Sequence, residues 1–216
     1  MRTAGIFLRA FLAGIMISIG GAVYLASQVK IAGAFLFGVG LFIILCRGYA
    51  LFTGAVGYAL TNDRRTNFEL PVILAGNLAG TAACGYAVRL TRLGAVADAA
   101  EKACSVKLED GLLSAFILSV FCGVLMFAAV DTFKKQDHGI LKTAAVFFCV
   151  AAFIVAGFEH VVANMFYFAA AGMFRRPEVW LKLLVMAAGN SVGAMLVNGA
   201  ETAAAGFTKI TKGNPS

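Results

Sequence analysis

GFEHVVANM, residues 157–165, sets a glutamate, a histidine and an asparagine in the middle of one long apolar run. That run covers 143–174 and is too long for an ordinary membrane span. A straight helix of about 30 residues would be about 45 Å long, against a hydrocarbon core of about 30 Å. A second run of similar length, 31–60, carries RGYALFTG at 47–54 near its middle. Tilt absorbs part of such an excess; a helix broken by a short irregular stretch absorbs it better. Irregular backbone survives at membrane depth only where protein or a water-filled path satisfies it. Paired interruptions in the two halves of a chain point to a transport site.

Working outward, polar punctuation divides the 216 residues into six apolar blocks, at 5–26, 31–60, 70–88, 112–130, 143–174 and 180–206. The breaks fall at 27–30, 61–69, a long amphipathic stretch at 89–111, 131–142 and 175–178, and the tail at 208–216 reads as mobile. Sixty-one per cent of the residues are hydrophobic and 13% are charged, about half the charge of a soluble domain. The chain therefore reads as an all-α membrane protein with six transmembrane helices, the second and fifth broken, in a lipid bilayer. The first apolar run is longer than a signal peptide's and ends in no clear cleavage site, so it reads as the first span. The net charge of +7 fits basic residues flanking spans; no basic stripe is interleaved with aromatics, and no nucleic-acid partner is expected.

The halves echo each other. AGNLAG occupies 75–80 in the third block and AGNSVG 188–193 in the sixth, each following a long block. Three spans thus occur twice, and an odd number of spans per repeat inverts the second copy. Charge does not orient the chain. Nine basic residues fall on the side of the N-terminus (Arg2, Arg9, Arg64, Arg65, Lys134, Lys135, Lys142, Lys209, Lys212) and eight on the other (Lys30, Arg89, Arg92, Lys102, Lys107, Arg175, Arg176, Lys182).

His160 is the only histidine in an apolar block, and an intramembrane ionisable residue is a functional candidate. Its imidazole can hydrogen-bond an anion or hand it a proton; the bland alternative is a neutral ring bridging two helices. Glu159 needs a partner if it borders an anion path, and Lys107 and Arg47 are the candidates. Arg47 either pairs with Glu201 or Glu159 or raises the local anion concentration; the sequence leaves these open. Thr53, beside the break in block two, can cap the half-helix that follows, whose N-terminus favours anions. Leu51, Phe52 and Phe158 flank the breaks and suit a constriction, or equally an ordinary core. The amides of Asn77 and Asn190 can tie down the loop of a neighbouring broken helix, while Gly76/Gly80 and Gly189/Gly193 have the GxxxG spacing of close helix contacts. The five cysteines contain no CxxC pair, so neither a disulfide framework nor a metal site is expected. No P-loop, dinucleotide fingerprint, HExxH or nucleophile elbow occurs, so no cofactor and no catalytic residue is expected.

GFEHVVANM, with LFTG in the second block, AGN in the third and AGNSVG in the sixth, resembles the formate/nitrite transporter family, from Gly14 to about Gly199. The resemblance implies an aquaporin-like inverted repeat of six spans, forming one channel domain over 1–216, with cytoplasmic termini and assembly into a homopentamer with one pore per subunit. It implies small monovalent anions as substrates: formate, nitrite, hydrosulfide or related weak-acid anions. By position His160 matches the central pore histidine, Thr53 the threonine that contacts it, Glu159, Asn164 and Asn190 the polar positions around the pore, and Lys107 the lysine before the fourth span. The expected setting is the cytoplasmic membrane of a prokaryote, crossed several times. Two departures stand out. Ala50 replaces an acidic residue common before LFTG, and Cys122-Gly123 replaces a CN pair whose asparagine lines the family pore. The leading expectation is an anion channel whose pH dependence runs through His160. The rival is a pore for neutral solutes such as water, ammonia or hydrogen sulfide, and a non-transporting scaffold is a third class.

Overall fold

The computed structural model describes residues 1–212, with side chains through residue 207. Of the tail expected to be mobile, 208–212 continue the last helix, and 213–216 lie outside the described residues. In order the chain forms α1 (Arg2–Ala26), α2 (Lys30–Arg47), α3 (Phe52–Ala55), a 3₁₀ segment (Val56–Leu60), α4 (Arg64–Asn67), α5 (Leu70–Val88), α6 (Gly94–Glu109), α7 (Leu112–Lys135), α8 (Gly139–Val155), α9 (Val161–Ala170) and α10 (Pro177–Lys212). The third, fourth and sixth spans are continuous helices, as is the first, while the second and fifth are interrupted as their length demanded. The second is α2 plus α3 and the 3₁₀ segment; the fifth is α8 plus α9. Helix α4 begins at Asp63, whose carboxylate accepts from the Thr66 N–H at 2.7 Å; that bond holds the carboxyl below its usual pKa. The amphipathic stretch before the fourth span forms α6, which buries Val96, Ala100 and Cys104 along one face.

The polar break expected from residue 131 begins later, because α7 continues to Lys135. Asp131 is buried within it. The Tyr58 hydroxyl donates to its carboxylate at 2.9 Å, and Lys135 one turn later pairs with it at 2.8 Å. These partners offset the cost of taking a carboxylate into the helix end.

The internal repeat is legible atom by atom. Gly48 (φ 64°) and Gly157 (φ 73°), which stand 109 residues apart, end the first half-helices in left-handed backbone that favours glycine. Ala50 N–H reaches the Arg9 carbonyl at 3.4 Å, and Glu159 N–H reaches the Leu118 carbonyl at 3.3 Å, again with both members shifted by 109. The helix crossings repeat as well. A Cβ added at Gly76 would meet the Ala10 Cβ and the Phe7 carbonyl; one at Gly189 would meet the Ser119 Cβ and the Phe116 carbonyl. Gly80 lies against the Phe11 carbonyl as Gly193 lies against that of Val120. The GxxxG pairs thus bring α5 onto α1 and α10 onto α7 at backbone contact. Gly123 belongs to this crossing too, facing the backbone of Asn190, as Gly14 faces that of Asn77.

Replacing Gly193 by Val is expected to cost about 3 kcal/mol or more through overpacking against rigid backbone. Gly206→Val, where a Cβ meets nothing within 4 Å, should be near neutral. Thermal unfolding of the detergent-solubilised variants measures both; equal behaviour would show that the crossing is not tight.

Candidate functional site

Each broken helix leaves an irregular loop at mid-span, and one buried asparagine from the following span fills the hydrogen-bonding needs of each. Asn77 on α5 accepts from the Phe52 N–H at 2.9 Å and donates to the carbonyls of Ala10 (2.8 Å) and Ala50 (2.9 Å). Asn190 on α10 accepts from the Val161 N–H at 2.9 Å and donates to the carbonyls of Ser119 (2.8 Å) and Glu159 (2.8 Å). Every partner of Asn190 is the partner of Asn77 shifted by 109 residues. Both amides are fully buried, and all four of the groups they serve at the two loops are backbone groups that hydrocarbon would leave unpaired.

The two second half-helices begin at equivalent positions, Leu51 and His160. Leucine offers no cap. The His160 Nδ1 accepts from the Ala163 N–H at 3.0 Å and so caps α9. With Nδ1 accepting, the neutral ring carries its proton on Nε2. Nε2 lies 2.9 Å from the Thr53 hydroxyl oxygen, so the imidazole donates and the Thr53 proton is left to point elsewhere. Thr53 does not cap its own half-helix, as the sequence had suggested: it sits two residues inside α3, and its hydroxyl is taken by the histidine. His160 is 2% exposed and stacks on Phe153, centroids 5.5 Å apart at 18°.

Glu159 is paired. Lys107 on α6 reaches its Oε2 at 2.6 Å, and the Asn164 amide donates to the same oxygen at 2.7 Å. The Asn164 amide also donates to the His160 carbonyl at 3.0 Å. Of the two partners considered for Glu159, Lys107 is therefore the one. Arg47 ends α2 with its side chain exposed and forms no ion pair among the described residues; Glu201 instead lies 3.9 Å from Lys135.

Two cavities open on opposite faces of the chain, one on either side of these loops. The larger, about 370 Å³, lies under α6 and is lined by Lys107, Glu159, His160, Asn164, Phe158 and Tyr167 among others. The smaller, about 90 Å³, faces the side of the N-terminus and is lined by Leu51, Ala50, Tyr49, Gly54 and Lys134 among others. Ile44, Leu45, Tyr49, Ala50, Leu51, Gly54 and Ala55 of the smaller correspond, at a shift of 109, to Phe153, Ile154, Phe158, Glu159, His160, Ala163 and Asn164 of the larger. The cavities are two images of one wall, and the Thr53–His160 hydrogen bond ties the one wall to the other.

Leu51 and Phe158 line separate cavities, Phe52 is buried and lines neither, and Asn190 and Thr53 stand behind the walls. Position 123, where the family asparagine was expected at the pore, faces the α7–α10 crossing. Sequence reasoning gave no role to Tyr58, Asp131 or Asn198, which order the 3₁₀ segment. The Asn198 amide donates to the Gly57 carbonyl at 2.8 Å and to the Thr61 hydroxyl at 3.1 Å. The available signal was Asn198 itself, eight residues after Asn190 and so on the same face of α10.

This geometry defines a multi-pass membrane protein with two broken spans meeting at a buried imidazole. The family model for formate/nitrite transporters matches residues 1–203, and the chain belongs to that family. It is 30% identical to formate-nitrite transporter 2 of Toxoplasma gondii over 93% of this chain and 50% of that protein. It is 29% identical to a probable formate transporter of Methanothermobacter thermautotrophicus over 87% of this chain and 83% of that protein. The chain thus spans half the length of the Toxoplasma relative. Its fold matches a pentameric formate channel solved with formate bound, with a TM-score of 0.81 and 24% identity over 95% of this chain and 98% of that one.

Lys107→Met strands the Glu159 carboxylate in a buried site and is expected to cost about 3 kcal/mol. The double variant with Glu159→Gln should recover most of that loss in the same unfolding assay. Additive losses would show that the pair is not coupled.

Proposed function

We propose that the protein is a channel for small monovalent anions of the formate, nitrite or hydrosulfide kind. Relatives named as formate and formate-nitrite transporters support the class of solute, and no enzymatic activity is assigned. The observation that carries the reading is the Thr53–His160 hydrogen bond at the junction of the two cavities. The Nε2–H is spent on the Thr53 oxygen, and the Thr53 O–H is left as a positioned donor. An anion stripped of water pays a large desolvation penalty there. A positioned donor offsets part of it, and for a weak acid transient protonation removes the charge that makes crossing costly.

His160 is the group we assign to pH dependence. A second proton on the ring has to go on Nδ1, which now accepts from the Ala163 N–H; charging the ring therefore means giving up the cap of α9. Titration would alter the start of the half-helix as well as the charge. Lys107 and Glu159, with Asn164, form the polar entrance on the α6 side, Asn190 holds the loop, and Leu51 and Phe158 each narrow one of the two cavities, with Phe52 buried behind the walls. The functional unit is one channel domain over the chain. It assembles as a homopentamer, as the structural neighbour does, with exposed apolar residues such as Leu36, Ile117, Leu184 and Leu196 facing lipid or sister subunits. The proposed setting is the cytoplasmic membrane of a prokaryote, with the N-terminus inside.

His160→Ala removes one donor and the cap. It is expected to lower formate uptake into proteoliposomes by about ten-fold and to change its pH profile, with Thr53→Ala showing a smaller loss. Unchanged flux of formate, nitrite and hydrosulfide at every pH would overturn this role.

A further inference from the structure

The two cavities share a wall pattern and differ in charge. In the larger, Lys107 is neutralised by Glu159 at 2.6 Å. In the smaller, the position equivalent to Glu159 is Ala50, and Lys134 is the one charged residue among those lining it. The Lys134 Nζ rests over the Tyr58 ring, 4.3 Å from its centroid. No carboxylate lies within ion-pair distance of it among the described residues. The acidic group on its own helix, Asp131, accepts from the Tyr58 hydroxyl at 2.9 Å and pairs with Lys135 at 2.8 Å. Lys135 also has Glu201 at 3.9 Å. The neighbouring cation is thus supplied with carboxylates while Lys134 is supplied only with a π face. Below it the cavity wall is largely apolar, built by Leu41, Ile44, Leu45, Leu51 and Val130, with Tyr49 the one other residue among those lining it whose side chain carries a polar group.

We propose that Lys134 and the cavity beneath it form a docking site for a small monovalent anion at the mouth on the N-terminal side, kept available because residue 50 is alanine. The site rests on the channel reading and adds to it an asymmetry. One mouth holds its lysine in an ion pair and has an imidazole at the junction; the other holds an unpaired lysine over a leucine. A unit negative charge beside an ammonium is attracted more strongly at a partly apolar protein surface than in bulk water. Asp131 opposes an incoming anion, but its charge is shared between two donors. A glutamate at position 50 would bring a carboxylate into the same small cavity as Lys134 and compete with an anion for it. The alanine, which departs from the family pattern, is on this account what leaves the cation free.

The test compares initial rates of labelled formate uptake into proteoliposomes over a range of formate concentrations. The proteins are the wild type, Lys134→Gln, Lys134→Arg and Ala50→Glu, each first checked for the wild-type elution volume in gel filtration. Lys134→Gln is expected to raise the half-saturating formate concentration roughly five-fold with the maximal rate little changed. Ala50→Glu should raise it comparably, and Lys134→Arg should hold it near the wild-type value. A purely structural lysine would instead lower the maximal rate. Half-saturation at the wild-type value in Lys134→Gln would overturn the site. Should that variant not fold, the same result in Ala50→Glu would overturn it. Absence of uptake by the wild type would instead bring down the channel reading itself.

Discussion

Backbone amides and carbonyls at the middle of a bilayer have no water to bond with, and an interrupted helix exposes several of them at once. Two side chains meet that demand here. Asn77 and Asn190 each use one acceptor and both amide hydrogens on three backbone groups, two of them in the loop. A shorter or apolar residue at either place would leave those groups unpaired at a cost of about 1–3 kcal/mol each. The breaks exist because they are satisfied in this way, and the imidazole reaches the centre only because the fifth span is broken just before it.

The glycines serve the same end from the other side. An asparagine amide is short, so α5 must sit against α1, and α10 against α7, at backbone contact for it to reach the loops. Gly76, Gly80, Gly189 and Gly193 permit that approach. Packing, hydrogen bonding and the placing of His160 are therefore one constraint seen at three scales. The pseudo-symmetry breaks where chemistry enters: Leu51 opposite His160, Ala50 opposite Glu159, and a four-residue α3 opposite the ten-residue α9.

Much of this was legible in the residues. The excess length of the second and fifth blocks announced the breaks, because apolar length has a fixed physical meaning in a bilayer. The GN echoes announced the repeat and the role of both asparagines. His160 and Glu159 stood out because ionisable groups are rare in spans, and Lys107 entered as a candidate partner for Glu159 and through the family resemblance. Side-chain direction was not legible. By position alone Thr53 read as a possible cap of its half-helix, while the family resemblance implied contact with the histidine; its hydroxyl oxygen lies 2.9 Å from the His160 Nε2. Arg47 was open between a carboxylate partner and a role in drawing in anions; it ends a half-helix exposed on the surface of the chain, with no ion pair among the described residues. Asp131 looked like loop because nothing local reports that Tyr58, 73 residues earlier, donates to it. Family resemblance supplied the class of solute, which residue spacing alone could not.

Charge separates the proposed anion channel from a pore for neutral solutes, because only an anion needs a donor at the apolar centre to offset lost hydration. The most direct measurement is the transport of purified, reconstituted protein across pH, with formate, nitrite and hydrosulfide compared against water and ammonia. Anion transport that exceeds protein-free vesicles, with water and ammonia permeation at the level of those vesicles, is the predicted result. Volume or ammonia flux without any anion transport at any pH would contradict it.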